Sequence, residues 1–105
     1  MNTEYEKIVM HLIMHGGEAR SQCLKAMARI KDGDFAGARE LMDQADENIN
    51  KAHEVQTSLI QAEVRGEGKT YISLLMVHAQ DHLMNAMTVR DIVKSIIGIE
   101  ERREK

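Results

Sequence analysis

The apolar residues of this chain fall into three tracts that advance in steps of three and four. The first runs through Tyr5, Ile8, Val9, Leu12, Ile13, Ala19, Cys23, Ala26, Met27 and Ile30. The second takes in Ala38, Leu41, Met42, Ala45, Ile49, Ala52, Gln56, Leu59 and Ile60. The third takes in Ile72, Leu75, Met76, Ala79, Leu83, Ala86, Val93, Ile96 and Ile97. Such steps return a side chain to one face of an α-helix, and no two-residue alternation of the strand kind is sustained. Two breaks separate the tracts. At Lys31-Asp32-Gly33-Asp34-Phe35, Gly33 can take the left-handed conformation that ends a helix, and Asp34 can cap the next. At Gly66-Glu67-Gly68-Lys69-Thr70 the second tract ends, with Thr70 or Ser73 available to cap the third. Proline is absent, so nothing interrupts the helices between the breaks.

The pattern predicts helices over about 3–31, 35–65 and 70–102, each about 45 Å long at 1.5 Å per residue. Short connections make successive helices antiparallel, so the expected fold is an all-α, up-down-up three-helix bundle in a single domain, 1–105. Gly16-Gly17 interrupts the first tract at a cost of about 1 kcal/mol per glycine relative to alanine. It marks either a kink or a place where another backbone comes close. The charged run from Glu100 to Lys105 reads as a solvated helix end.

Composition sharpens this picture. A chain of 105 residues suits one domain with a modest core, for which self-association would be a natural supplement. Aromatics are 3% and Trp is absent, so the eight methionines with Ala and Leu must fill the core, as packed helices allow. The net charge is −3 and the basic residues are scattered, which removes the footprint of a nucleic-acid or anionic-membrane binder. The longest Ala/Val/Ile/Leu/Met run, Leu74 to Val77, is far short of the roughly 20 residues of a membrane span. The opening Met-Asn-Thr-Glu-Tyr-Glu-Lys has no basic-then-apolar signal character. The single cysteine, Cys23, has no internal partner, which fits a cytoplasmic protein.

The residues able to do chemistry concentrate in the third tract, at His78-Ala-Gln-Asp-His-Leu-Met84. With His78 at zero on a wheel of about 100° per residue, the apolar stripe spans roughly 60° to 140°. His82 then falls near about 40° and Asp81 near about −60°. Two histidines one turn apart are thus expected at the border of the buried stripe, half-buried, with a carboxylate beyond them. Imidazole titrates near neutrality, and a neighbour can fix its tautomer and leave one nitrogen free for nucleophilic attack. The same spacing also suits a metal.

This segment resembles the signature of the lactose/cellobiose class of phosphotransferase-system IIA proteins. Glu18-Ala-Arg-Ser21, Lys31-Asp-Gly-Asp-Phe35, Ala52-His53, Gln56-Thr57 and Leu59-Ile60-Gln61 follow the family in order, so the likeness spans nearly the whole chain. Gly16-Gly17 departs from it, standing where the family more often has Ala-Gly. The resemblance implies a cytoplasmic homotrimer of three-helix protomers. The residue matching His78 would accept phosphate from the phosphohistidine of the general carrier protein and pass it to a cysteine of the IIB component. The membrane IIC component would be served only indirectly. His82 would support the phosphorylated site, and Asp81 would meet its symmetry mates around a divalent cation, Mg2+, at the trimer axis. The sugar implied is of β-glucoside, cellobiose, chitobiose or lactose type.

Other readings remain beside it. A two-component histidine phosphotransfer domain is also helical, but resembles HxxKG where this chain has His78-Ala-Gln-Asp. A non-catalytic, metal-stapled oligomerisation bundle would use His78 and His82 as ligands. Elsewhere, His11 and His15 with Glu18 read as a helix face, Cys23 as a small core residue, and His53 as packing. Gln80 either orients a phosphoryl oxygen or faces solvent. Glycines 66 and 68 form a turn, since the spacing of a phosphate-binding loop is missing.

Overall fold

Seven alanines, Ala19, Ala26, Ala38, Ala45, Ala52, Ala79 and Ala86, are fully enclosed, and they recur at intervals of seven within each helix. Small side chains at such intervals bring helix axes close together along a coiled-coil-like seam. The computed structural model describes residues 3–68 and 70–104. They form α1 (Thr3–Lys31), α2 (Phe35–Val64) and α3 (Leu74–Arg103). The described residues extend 53 by 23 by 18 Å, one helix length plus the connecting turns. Between the alanines, Val9, Leu12, Cys23, Met42, Ile49, Met76, Leu83, Val93 and Ile97 fill the core.

Cross-helix contacts set the directions. His11 and His15 meet Lys51 and Asn48, so α1 and α2 are antiparallel. Asp46 meets Arg90 and Lys94, Gln56 meets Gln80, and Arg39 pairs with Glu101, so α2 and α3 are antiparallel too. α1 and α3 therefore run side by side in parallel. At their starts, the Tyr5 hydroxyl donates to the Tyr71 carbonyl at 2.6 Å and lies 2.8 Å from the Ser73 hydroxyl. The all-α, up-down-up bundle expected from the hydrophobic pattern is the fold that forms.

The breaks follow local chemistry. Gly33 and Gly66 adopt φ of +78° and +75°, the only described residues with positive φ. The Asp34 carboxylate accepts from the Gly37 amide at 2.9 Å. Of the two candidate caps for α3, Ser73 takes the role, its hydroxyl accepting from the Met76 amide at 3.0 Å. The third helix therefore begins at Leu74, four residues after the expected start at 70. Ile72, counted in the buried stripe, instead precedes the helix and is exposed, and Leu75 is exposed as well. Lys69, part of the expected break, lies outside the described residues.

Candidate functional site

The apolar face of α3 comprises Met76, Ala79, Leu83, Ala86, Val93 and Ile97, which centres burial further from His78 than the wheel suggests. His78 is consequently exposed and only His82 is half-buried, which corrects the expectation of two half-buried imidazoles. The two rings meet edge to face with centroids 4.6 Å apart, and their Nε2 atoms are 3.1 Å apart. One of these nitrogens donates its proton to the lone pair of the other. The contact couples the tautomer of an exposed imidazole to that of a more sheltered one.

His82 is held from the α1 side. A Cβ built at Gly16 would lie 3.0 Å from the His82 carbonyl carbon, 3.1 Å from its oxygen and 3.1 Å from the Leu83 nitrogen. A Cβ at Gly17 would be 3.8 Å from His82 Nδ1. The glycine pair therefore marks a close approach of two backbones, one of the two roles open from the sequence. It lets α1 lie against α3 at the height of the histidines. Beside them is a shallow cavity of about 330 Å3 lined by Arg20, His78, Asp81, His82 and Asn85. Asp81 is exposed and makes no ion pair with a described residue. No group of three or more His, Cys, Asp or Glu able to hold a metal occurs among the described residues of one protomer.

The remaining candidates have other duties. Gln80 neither lines this cavity nor simply faces solvent. Its Oε1 accepts from Gln56 Nε2 at 2.6 Å and its Nε2 donates to Met76 Sδ at 3.7 Å, tying α2 to α3 beneath the histidines. His11 Nε2 donates to the Lys51 carbonyl at 3.1 Å, and His15 Nδ1 donates to Asn48 Oδ1 at 2.7 Å. Asn48 in turn donates to the buried Gln22 at 3.0 Å. These two histidines lock α1 to α2. His53 is exposed, so packing does not account for it. Cys23 is fully enclosed, as a small core residue should be.

Arg20 and Arg90 escaped the sequence reading. Arg90 stands on the buried side of α3 where the apolar steps skip a turn, and its Nη1 lies 3.6 Å from Asp46 Oδ1. Lys94 Nζ lies 2.8 Å from the other oxygen of Asp46. The skipped turn was the available signal. For Arg20 the one signal was its place in Glu18-Ala-Arg-Ser21, a segment that resembles the family, and spacing gave it no role because its neighbours belong to another helix.

Comparison with known proteins accords with this site. The family described as "PTS system, Lactose/Cellobiose specific IIA subunit" matches residues 7–101. The lichenan-specific phosphotransferase enzyme IIA component of Bacillus subtilis (strain 168) is 52% identical over 102 residues, spanning 97% of this chain and 92% of that protein. The N,N'-diacetylchitobiose-specific EIIA component of Escherichia coli (strain K12) is 46% identical over 99 residues, 94% of this chain and 84% of that one. Among solved structures, the cellobiose-specific enzyme IIA of Bacillus anthracis superposes with a TM-score of 0.89 at 48% identity, covering 99% of this chain and 94% of the other. The IIA(chitobiose)–HPr complex superposes at 0.81 with 42% identity, covering 99% and 100%. With its three helices, its paired histidines and these likenesses, the chain belongs to the lactose/cellobiose-specific IIA family of the phosphotransferase system, as a phosphotransferase component.

Proposed function

We propose that His78 is the phosphoryl carrier, loaded by the phosphohistidine of the general carrier protein HPr and unloaded by a cysteine of the IIB component. The observation that carries this reading is the exposed His78 imidazole, 3.1 Å from the more sheltered His82 and open to a shallow cavity. An imidazole that must receive a group from one protein and surrender it to another has to be reachable from outside. On loading, a lone pair of His78 forms an N–P bond while the carrier's N–P bond breaks and its electron pair returns to the carrier's imidazole. On unloading, the IIB thiolate forms an S–P bond and the His78 N–P bond breaks, regenerating the neutral ring. No oxidation state changes. The protein contributes in-line positioning and charge stabilisation.

The substrate of the whole system would be a β-glucoside, cellobiose, chitobiose or lactose-type sugar, in keeping with the relatives. No helix among the described residues is long and apolar enough to cross a membrane. As a member of this family the protein would work in the cytoplasm and reach the membrane IIC component only through IIB.

A homotrimer belongs to the same reading. α3 carries a second apolar stripe, Leu74, Val77, Met84, Ile92 and Ile99, all between 46% and 86% exposed. Asp81, Thr88 and Ser95 complete its steps of three and four. A helix apolar on two sides calls for cover on both, and α1 and α2 supply only one. Two further copies of α3 would supply the other and bring three Asp81 carboxylates to one axis. Hard oxygen donors of this kind suit a divalent cation such as Mg2+. Asp81, without an ion pair to any described residue of its own protomer, fits that role, and the ion would supply charge neutralisation. A non-catalytic, metal-stapled bundle using His78 and His82 is less well supported, because the matching family and relatives are phosphotransferase components.

Incubation with phosphorylated HPr followed by intact-mass measurement tests the reading. The wild type should gain one phosphoryl group, and His78→Gln should gain none while keeping its helical circular dichroism. A phosphate adduct that persists in the variant would overturn the assignment.

A further inference from the structure

We propose that Arg20 is the anion-binding residue of this site, holding the oxygens of the phosphoryl group during its transfer to and from His78. The inference rests on His78 being the carrier and adds the group that receives its cargo. Arg20 lines the same cavity as His78, Asp81 and His82, and is the only lysine or arginine among the described residues of that lining. It makes no hydrogen bond or ion pair to another described residue, although most described arginines do, among them Arg29, Arg39, Arg65, Arg90 and Arg103. A guanidinium without a carboxylate, open to a cavity that contains the nucleophile, is available for an incoming anion.

The helices explain how it gets there. α1 and α3 run in parallel, and Gly16 lies against the main chain of His82 and Leu83. Side chains on a helix lean toward its N-terminus, so Arg20, one turn beyond Gly16, leans back toward the level of the histidines. Glycines at 16 and 17 leave no side chain of their own between it and His82.

Electrostatics call for such a group. The phosphoryl moiety in transit bears negative charge on three oxygens, and Arg20 is the one lysine or arginine among the described residues of the lining. Guanidinium offers two parallel N–H donors to two phosphoryl oxygens and stays charged throughout. It takes no part in the bond changes. As the N–P bond of the donor breaks and the N–P bond to His78 forms, Arg20 steadies the charge on the group between them.

The test is a rate measurement with phosphorylated HPr as donor, followed by rapid-quench mass spectrometry, on wild type, Arg20→Gln, Arg20→Lys and Arg20→Ala. The Gln variant should load His78 about 100-fold more slowly, with the loss in kcat rather than KM. The Lys variant should recover part of the rate, and guanidinium ions added to the Ala variant should recover part as well. Helical circular dichroism and sedimentation should match wild type in all of them. A Gln variant within twofold of wild type overturns the proposal. So does a loss confined to KM, which marks docking, or one that neither lysine nor guanidinium restores, which marks a structural role. If wild type itself takes no phosphate, the carrier assignment of His78 fails and Arg20 fails with it. If wild type loads and the Arg20 variants load equally well, Arg20 alone is refuted.

Discussion

Gly16 on α1 lies against the main chain of His82 on α3, where a Cβ would fall 3.0 Å from the His82 carbonyl carbon. At the neighbouring Gly17 the nearest atom to a Cβ would be the His82 ring nitrogen at 3.8 Å, an ordinary contact. Two adjacent glycines thus face different constraints. The first sets how closely α1 approaches the helix that bears the histidines, and the second only borders a side chain.

The difference has a measurable consequence. Gly17→Ala should stabilise the protein by about 0.5–1 kcal/mol, the helix-propensity gain of alanine over glycine. Gly16→Ala should gain little or none, because the main chain of α3 would have to retreat by a few tenths of an ångström. Urea denaturation of both variants decides it, and equal gains would refute the constraint at Gly16.

His82 holds a nitrogen 3.1 Å from His78 without occupying the most exposed position. It is expected to govern release of the phosphoryl group rather than its capture. His82→Ala should accept phosphate from HPr yet pass it to the IIB cysteine at least about ten times more slowly, general acid–base neighbours contributing on the order of 100-fold or more. Single-turnover transfer from the phosphorylated variant to IIB measures this. Transfer at the normal rate would leave His82 a packing role only.

Much of this architecture can be read from residue spacing. Helix ends at Gly33 and Gly66 follow from glycine's access to positive φ, and the cap at Asp34 from a carboxylate three residues before a free amide. The paired histidines are equally legible, since i and i+4 share a helix face. What spacing cannot convey is depth. A wheel assigns Leu75 and Ile72 angles within the stripe, but burial depends on what other helices place at that height, and both stay exposed. The same limit put His78 too deep. Arg20 was illegible for a related reason: its meaning comes from α3, and only the parallel packing of α1 and α3 brings it to His78. Spacing likewise left Gln80 undecided, because its partner Gln56 lies on α2.

Cys23 offers a test of the core. Burial pushes its thiol above the ordinary value of 9.0, the Asp46 carboxylate adds to the rise, and Arg90 and Lys94 oppose it. Above the unfolded thiol's pKa the unfolded chain releases a proton that the folded protein retains. Stability should therefore fall as pH rises from about 9, by at most about 1.4 kcal/mol per pH unit from this group. Cys23→Ala should lack that contribution. Denaturation at a series of pH values from 8 to 10.5 compares the slopes, and parallel slopes would refute a buried neutral thiol. Alkylating reagents should also label Cys23 in the folded wild type far more slowly than in the unfolded chain.

The last prediction joins Asp81 to assembly. Asp81 stands in the exposed apolar stripe of α3, between Val77 and Met84. If three copies of that stripe pack together, three carboxylates meet, and each close pair costs roughly 3–4 kcal/mol at an effective dielectric near 20. A divalent cation turns that repulsion into attraction, so metal binding and trimer formation should be thermodynamically linked. A chelator should then weaken the wild-type trimer. Asp81→Leu should behave oppositely, remaining trimeric without metal, because apolar packing replaces mutual repulsion along a stripe that is otherwise apolar. Analytical ultracentrifugation of both proteins, with and without chelator, measures the linkage. A wild-type trimer indifferent to chelator would remove the structural ion, whereas a wild type that is monomeric at micromolar concentration would remove the trimer. Should Asp81→Leu dissociate while wild type does not, the carboxylate would be making an attractive contact of another kind, and the cation would have no repulsion to relieve.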